Sequence, residues 1–285
     1  MDPNPIWNSL IEHSSGHYGL FCRTLETGRT LEHNPTEVIE TASTVKIPIL
    51  LALLDQAQRK KTSLRRRIDL NRSHVGRNAS GLLQSMYFNA PFTLYNLAFL
   101  MMSVSDNAAT NAIIELVGFK EINSYIQRLG ATNTRLLMPK VDFPSRFPKN
   151  RRPKMGESTP REMADIVELL VTGQALDRVH TTIAMKFMQR IQHSTFGRRL
   201  PPRQIRKYGS KTGSIYLATG SNVALAEAGY IMTKSGHTHV FSLFATLPPD
   251  PVYLYSPEAS NRTEFARVAG CLYDDLEPSI ITKKA

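Results

Sequence analysis

The order of strand-like and helix-like patterns along the chain is its strongest constraint on fold. Strand-like runs occur near the N-terminus and in the C-terminal third, at 17–24, 29–33, 207–213, 222–233 and 237–246. The segment between them, from about residue 41 to 194, is mainly helical in pattern. Because strands need partners, we expect one sheet assembled from both ends of the chain, with helices packed on it.

This arrangement predicts an α/β (α+β) fold in a single domain covering residues 1–285. An α/β lobe of discontinuous sequence would comprise about 1–40 and 195–285, and an all-α lobe would comprise about 41–194. A chain of 285 residues is long enough for two lobes with a full core. The segment 137–157 has four prolines and no period, which is typical of a long functional loop.

Ser43 and Lys46 lie at the start of the first helical run in the middle segment. Thr41 and Ser43 are favourable helix N-caps, Pro48 suits a first turn, and the apolar run 47–54 follows. Residues three apart share a helix face, so the two side chains would point the same way. A desolvated lysine can take the proton that makes a serine a nucleophile. Taken alone, this short motif favours a capping serine and a solvated lysine.

Two later motifs favour the chemical interpretation. Ser105-Asp106-Asn107 follows a helical run, and Lys211-Thr212-Gly213 precedes a strand-like run. The order S-x-x-K, S-D-N, K-T-G is the signature of class A β-lactamases and penicillin-binding proteins. The segments 80–84, 129–136 and 158–160 are also similar to that family. The chain therefore resembles class A β-lactamase-like serine hydrolases over about residues 18–273.

The resemblance implies a fold and assigns the chemistry. The fold would be an antiparallel sheet flanked by helices plus an all-α lobe, with the active site in the cleft between them. Four residues would be catalytic: Ser43, Lys46, Ser105 and Lys211. Four would bind substrate: Asn107, Thr212, Gly213 and Ser214.

Each of these residues has an expected role. Ser43 would form the acyl-enzyme, Lys46 would be its base, and Ser105 would pass a proton to the leaving nitrogen. Asn107 would bind the substrate's amide side chain. Lys211 and Thr212 would hold its carboxylate, and Gly213 would let the strand approach closely. The backbone N–H groups of Ser43 and Ser214 would form the oxyanion hole.

The chain departs from the family at the omega loop. Class A enzymes have a glutamate there, in an E-x-x-x-N pattern, which activates the water that releases the acyl group. Here Lys140 stands near that place, and the acids between Leu136 and Ser158 are Asp142 and Glu157. General-base help is worth typically about 10²–10⁴-fold. The sequence therefore predicts acylation of Ser43 by β-lactams with slow release.

Three functions remain open at this stage. The first is a class A-type β-lactamase of weak or unusual activity. The second is a related serine hydrolase acting on a D-alanyl peptide, another amide or an ester. The third is a penicillin-binding sensor or pseudoenzyme that acylates once. A shared fold does not choose among them.

Composition narrows the possible partners. The net charge is +11, but the basic clusters are scattered over predicted loops, so we expect a carboxylate-bearing small molecule rather than nucleic acid. No apolar run approaches about 18 residues, so no membrane span is expected. The N-terminus shows no signal-peptide pattern, although the resemblance implies a periplasmic or secreted enzyme. A monomer is expected.

No cofactor or metal is expected from the sequence. His237 and His239 would share one strand face, but two ligands without a third make a poor zinc site, and solvated strand histidines are the expectation. Cys22 and Cys271 are expected to be free thiols, with one disulfide as the alternative.

Overall fold

A computed structural model describes residues 5–77, 80–87, 90–143, 154–215, 223–248 and 260–277. Its α-helices are α1 (Ile6–Glu12), α2 (Lys46–Gln58), α3 (Leu94–Ser103), α4 (Asn107–Val117), α5 (Phe119–Arg128), α6 (Pro160–Val171), α7 (Arg178–Met188) and α8 (Ser260–Leu276). Its strands are β1 (His17–Thr24), β2 (Thr30–His33), β3 (Ile39–Glu40), β4 (Arg67–Ile68), β5 (Phe92–Thr93), β6 (Arg135–Leu136), β7 (Gly156–Ser158), β8 (Ile205–Ile215), β9 (Val223–Thr233) and β10 (Thr238–Leu247).

The main sheet joins the two ends of the chain, as predicted. Its strand order is β2-β1-β10-β9-β8, and every neighbouring pair is antiparallel. The N-terminal strand β1 pairs along its whole length with β10, so that Phe21 lies opposite Ser242. The β9–β10 turn uses Gly236 at a φ of 100°, a conformation that glycine adopts without strain.

Side chains of β10 alternate between two hydrophobic cores on opposite faces of the sheet. Val240 and Phe244 belong to the larger core, which includes the buried helix α2, whereas Phe241 and Leu243 belong to a core that includes residues of α1 and α8. Helix α6 packs against β1, β9 and β10, and Ser242 on the first face donates a hydrogen bond to the Pro160 carbonyl. The sheet is therefore covered on both faces, which confirms the α/β fold.

Side-chain caps begin three of the helices. Thr159 accepts a hydrogen bond from the Glu162 backbone N–H, with Pro160 in the first turn, and Thr93 and Asp106 cap α3 and α4 in the same way. The Glu162 carboxylate accepts from Asn133 N at 3.0 Å. Within the described part of the chain, no helix is long and apolar enough to cross a membrane.

The sequence pattern of 80–88 predicts a helix, but the structure differs there. This segment forms only a short 3-10 turn at Leu83–Ser85, and residues 88 and 89 lie outside the described residues. Gly81 has a φ of 106°, and a Cβ there would lie 2.4 Å from Asp106 Cα, so a regular helix cannot form against α4. The division into two lobes at about residues 40 and 194 stays a prediction.

Candidate active site

Ser43 lies in a 3-10 turn, Ala42–Val45, that leads directly into α2. Neither Thr41 nor Val45 makes a side-chain cap here, so the predicted capping role of the turn residues is wrong. Ala42 has a φ of 45°, which is uncommon for a residue with a side chain. This backbone holds the partly exposed Ser43 against strand β8, where a Cβ on Gly213 would lie 2.6 Å from Ser43 N.

Lys46 is fully buried at the first position of α2. Its Nζ lies 2.7 Å from the Ser105 carbonyl oxygen, 2.8 Å from Asn107 Oδ1 and 3.1 Å from Ser105 Oγ. Burial, and then the charge of Lys211, hold the pKa of Lys46 well below its ordinary value, although Asp106 acts in the opposite direction. This shift favours the neutral amine over the ammonium form.

Lys46 Nζ is the donor in each of its three hydrogen bonds. The Ser105 carbonyl and Asn107 Oδ1 can only accept. The Ser105 hydroxyl oxygen is the third acceptor. Lys46 is thus connected in this structure to Ser105, and it has no hydrogen bond to Ser43 Oγ among the described contacts.

Lys211 approaches the same hydroxyl from β8. Its Nζ lies 3.1 Å from Ser105 Oγ and 2.6 Å from the carbonyl oxygen of Thr212. Burial lowers the pKa of Lys211 to about 7, while the carboxylate of Glu227 acts to raise it. Ser105 Oγ therefore lies between two buried amino groups whose pKa values are both lowered.

Ser105 is held in place by its own backbone and by the residue that follows it. Its φ is 59°, and its carbonyl also accepts from Ser80 Oγ at 3.2 Å. Asp106 is buried, and its carboxylate accepts from Leu83 N at 2.8 Å and from Ala109 N at 3.0 Å. Asp106 thus fixes the 80–85 loop to the start of α4 and presents Ser105 to the lysines.

The environment of the Ser43 hydroxyl contains a thioether. Ser43 Oγ lies 3.9 Å from the sulfur of Met155, a residue with 1% of its surface exposed. Methionine sulfur is only a weak acceptor and cannot serve as a base at neutral pH. Met155 is a site residue that sequence reasoning missed, because it lies 112 residues from Ser43 and no motif surrounds it.

The two acids of the predicted omega loop each contact an arginine. Asp142 accepts from Arg77, and these hydrogen bonds lower the pKa of its carboxyl group. Glu157 lies 3.4 Å from Arg135 Nε. The described contacts direct neither carboxylate to Ser43. Residues 144–153 of this loop lie outside the described residues.

The remaining predicted binding residues follow one another along β8. Thr212 is partly exposed and Ser214 is exposed, opposite Glu227 and Leu225 of β9 respectively. Both lie next to Gly213, at the point where β8 approaches the Ser43 turn. Their roles in binding substrate stay predictions.

Glu227 is a buried acid on β9 that the sequence analysis overlooked. Its Oε1 accepts from three hydroxyl groups, and its Oε2 accepts from two backbone N–H groups. The donors are Ser194 Oγ (2.6 Å), Tyr208 Oη (2.6 Å), Ser210 Oγ (2.7 Å), Thr195 N (3.0 Å) and Phe196 N (2.9 Å). The sequence signal that could have revealed Glu227 is an acidic residue inside the apolar run 223–232.

The histidine pair also differs from expectation. His239 is fully buried, so the prediction of solvated strand histidines is wrong for this residue, and Glu277 supplies the third potential ligand that the sequence did not reveal. Glu277 follows α8, and its proximity to β10 depends on how that helix packs. Cys22 and Cys271 are both free thiols, as expected.

Comparisons with known proteins agree with this geometry. A family model described as the beta-lactamase enzyme family matches residues 5–276. A beta-lactamase of Bacteroides uniformis is 26% identical over 279 residues, which are 94% of this chain and 89% of that protein. The beta-lactamase SME-1 of Serratia marcescens is 24% identical over 170 residues, which cover 59% of this chain and 56% of SME-1.

Solved structures give the same result over nearly the whole chain. The crystal structure of a beta-lactamase from Sphaerobacter thermophilus superposes with a TM-score of 0.82 at 26% identity, covering 98% of both chains. The structure of PBP-A superposes with a TM-score of 0.78 at 24% identity, covering 95% of this chain and 94% of that one. At 24% identity, the similarity to PBP-A supports the fold alone.

Proposed function

Since the chain belongs to the beta-lactamase enzyme family and is a serine hydrolase of that type, we propose that Ser43 is acylated by β-lactams and that the acyl-enzyme is released slowly. The Lys46–Ser105–Lys211 cluster beside Ser43 is the observation that supports acylation. The ion pairs of Asp142 and Glu157 with arginines support slow release of the acyl group.

Acylation begins when the Ser43 hydroxyl turns from Met155 toward the neutral Lys46. Lys46 takes its proton, and Ser43 Oγ bonds to the carbonyl carbon of the β-lactam. The N–H groups of Ser43 and Ser214 stabilise the oxyanion, an interaction worth roughly 3–4 kcal/mol for each donor.

Collapse of this intermediate breaks the bond between the carbonyl carbon and the ring nitrogen. The nitrogen takes the proton of the Ser105 hydroxyl, which lies 3.1 Å from each lysine Nζ. Lys46, protonated in the first step, returns a proton to Ser105 and becomes neutral again. No proton is left over at the end of the sequence, and Lys46 regains its starting state.

Substrate selection depends on the other lysine. Protonated Lys211 attracts the carboxylate of a β-lactam, and Thr212 donates a hydrogen bond to it. The amide of Asn107 binds the acylamino side chain through the groups that Lys46 does not use, since Lys46 occupies its Oδ1. The net charge of +11 favours approach of an anionic substrate.

Deacylation lacks an evident base. The acyl-serine needs an activated water, and the loss of general-base help costs typically about 10²–10⁴-fold. Met155 beside Ser43 Oγ cannot supply this help, and both omega-loop acids are paired with arginines. We therefore expect the acyl-enzyme to accumulate.

Two alternative functions would use the same Lys46–Ser105–Lys211 cluster. A D-alanyl peptidase, amidase or esterase would use it on another substrate whose acyl group leaves faster. A non-turnover penicillin-binding sensor would stop at the acyl-enzyme, and the absent base favours it over an efficient β-lactamase.

The test combines turnover with intact mass. The protein is mixed with a chromogenic cephalosporin or a penicillin, and Ser43→Ala and Ser9→Ala, a serine of α1 away from the cluster, serve as the paired variants. We expect a stoichiometric adduct and slow hydrolysis, both absent only in Ser43→Ala. Rapid hydrolysis without an accumulated adduct contradicts slow release, and an adduct that persists in Ser43→Ala contradicts the assignment of the nucleophile.

A further inference from the structure

Three side chains with metal-binding groups meet at the start of β10. His237 immediately precedes this strand, His239 is its second residue, and Glu277 is the residue after α8. His237 Nδ1 lies 2.7 Å from Glu277 Oε1, and His239 Nε2 lies 3.0 Å from the same oxygen. One atom from each residue falls within 4.8 Å of the others. Two imidazoles thus point at one carboxylate oxygen.

The distances suit a small divalent cation. Zinc binds histidine nitrogen and carboxylate oxygen at about 2.0–2.2 Å, so two ligands of a tetrahedral zinc lie about 3.3 Å apart. The two separations from Glu277 Oε1, 2.7 and 3.0 Å, need to open by a few tenths of an ångström. The two histidine nitrogens, which lie within 4.8 Å of each other, need to approach to about the same distance. Two histidines and one glutamate are a known protein ligand set for zinc.

We propose that His237, His239 and Glu277 bind a divalent transition metal, with zinc as the best match. The fourth coordination position faces solvent, because the His237 side chain is 38% exposed while those of His239 and Glu277 are 0% and 5% exposed. This position would hold water, and the exposed edge beside His237 is the route by which the ion enters.

A second layer of hydrogen bonds orients the ligands. Thr24 Oγ1 lies 2.9 Å from His239 Nδ1, so this hydroxyl can accept from Nδ1–H and leave the Nε2 lone pair for the metal. Ser235 Oγ lies 3.3 Å from both oxygens of Glu277. Partners of this kind fix the tautomer and orientation of metal ligands, and their loss typically costs about 10–100-fold in affinity.

The site is separate from the Ser43 cluster. Lys211 lies opposite Ala228 and, through β9, opposite Ser242, so these residues share a sheet face. His239 is three residues from Ser242 along β10 and therefore lies on the other face, toward α8. A metal here links the end of α8 to the β9–β10 hairpin and to β1. Its role is to fasten the terminal helix to the sheet, which goes beyond the proposed function and does not rest on it.

The competing explanation is an ion pair without metal. A protonated histidine and Glu277 could satisfy each other, as charge-assisted hydrogen bonds do elsewhere. Direct metal binding separates the two explanations. The whole chain is stripped with a chelator, the chelator is removed, and ZnCl₂ is titrated by calorimetry and by native mass spectrometry, with Co²⁺ absorption as a reporter of four-coordination.

Three variants make the result specific. His237→Ala removes the most exposed ligand, Glu277→Gln keeps the shape of the third, and His193→Ala removes an exposed histidine away from the cluster. We expect one zinc per chain, affinity at least tenfold weaker in the first two variants, and no change in the third. Zinc at about 100 times its Kd should raise the Tm of the unaltered chain by about 5 °C and that of the ligand variants much less.

Either of two results overturns the proposal. One is the absence of stoichiometric binding of zinc or cobalt by the folded, stripped chain. The other is binding that His237→Ala and Glu277→Gln leave unchanged, which would place the ion elsewhere. Acylation of Ser43 in the stripped protein is measured alongside, so failure of the metal site and failure of the serine chemistry are seen separately.

Discussion

Proton transfer through the Ser105 hydroxyl depends on which of its two neighbours, Lys46 or Lys211, is protonated. Burial and the nearby Lys211 lower the pKa of Lys46, whose Nζ donates to Ser105 Oγ. Lys211 has a pKa of about 7, so near neutral pH it exists in both protonation states. The charge of the base that starts acylation and the charge of the cation that holds the substrate therefore both depend on pH.

The pH dependence of acylation follows from Lys211. Its protonated form attracts the substrate carboxylate, so the second-order acylation rate should fall as the pH rises through about 7. On the acid side, the rate should fall when Lys46 becomes protonated, since its pKa is lowered but it is still a base. Acylation is followed by intact mass after rapid quenching between pH 5 and 9.

Lys211→Arg is the matched control for this profile. Arginine stays protonated throughout the range, so the alkaline fall should disappear even if the overall rate is lower. An alkaline fall that survives unchanged in Lys211→Arg assigns it to another group and contradicts the prediction.

Glu227 is expected to affect both stability and the Lys211 titration. In Glu227→Gln, one carboxylate oxygen becomes an amide N–H₂ group, which cannot accept the hydrogen bonds that hydroxyl and backbone N–H groups donate to Glu227. Because these buried donors lose their partner, we expect the free energy of unfolding to fall by about 3 kcal/mol. Since the Glu227 carboxylate raises the pKa of Lys211, its removal should also move the alkaline fall to lower pH. Urea unfolding and the acylation profile measure the two effects.

Glu115→Gln is a suitable comparison for Glu227→Gln, because the Glu115 side chain is 75% exposed. Its unfolding free energy should change by less than about 0.5 kcal/mol. Equal stability of the two variants would show that the buried hydrogen bonds of Glu227 contribute nothing net.

At the scale of elements, β8 and the Ser43 turn are matched in shape. A Cβ on Gly213 would lie 2.6 Å from Ser43 N and 2.9 Å from Ala42 Cβ. Gly213→Ala should therefore push the strand and the turn apart and lower the acylation rate by about 100-fold, the cost of a displacement near 1 Å. Stopped-flow acylation and urea unfolding check the effect.

Gly270→Ala is the control, because it makes the same substitution at a position where the added methyl group meets no steric conflict. In this helical position the new Cβ would lie 3.7 Å from its nearest neighbour, an ordinary contact. We expect normal acylation and a gain of up to about 1 kcal/mol in stability from helix propensity. A Gly213→Ala variant that acylates as fast as Gly270→Ala would contradict the tight fit.

Sequence patterns predicted the elements that are specified locally. The predicted strands 17–24 and 222–233 agree with β1 and β9 to within about two residues. The strands β3, β6 and β7 were missed because each is only two or three residues long and depends on partners distant in sequence. A strand that short has too few residues to show a period.

The residues of the two sites also divide into those that motifs predicted and those that the sequence did not reveal. The motif residues Ser43, Lys46, Ser105 and Lys211 were predicted, and the structure brings the last three together around one hydroxyl. Met155 and Glu277 could not be predicted, because their roles arise from contacts across more than 30 residues of chain with no motif around them.

At the scale of the whole molecule, both ends of the chain contribute to one hydrophobic core. The single tryptophan, Trp7 of α1, is buried in the core that also contains Phe265 and Leu272 of α8. We expect urea unfolding followed by Trp7 fluorescence to coincide with unfolding followed by far-ultraviolet circular dichroism. A fluorescence transition at lower urea would indicate that α1 and α8 separate before the rest unfolds.

Strand β1 lies inside the sheet, yet one of its two partners, β10, comes from the far end of the chain. During synthesis at about 5–20 residues per second, some tens of seconds pass between the appearance of β1 and that of β10. Throughout this time the buried residues of β1 have only β2 to pair with, and one backbone edge is unpaired. The nascent chain is therefore at greatest risk of aggregation before its last third is made, and its yield in a cell should depend on how fast the ribosome completes that third and on chaperones that cover β1 meanwhile.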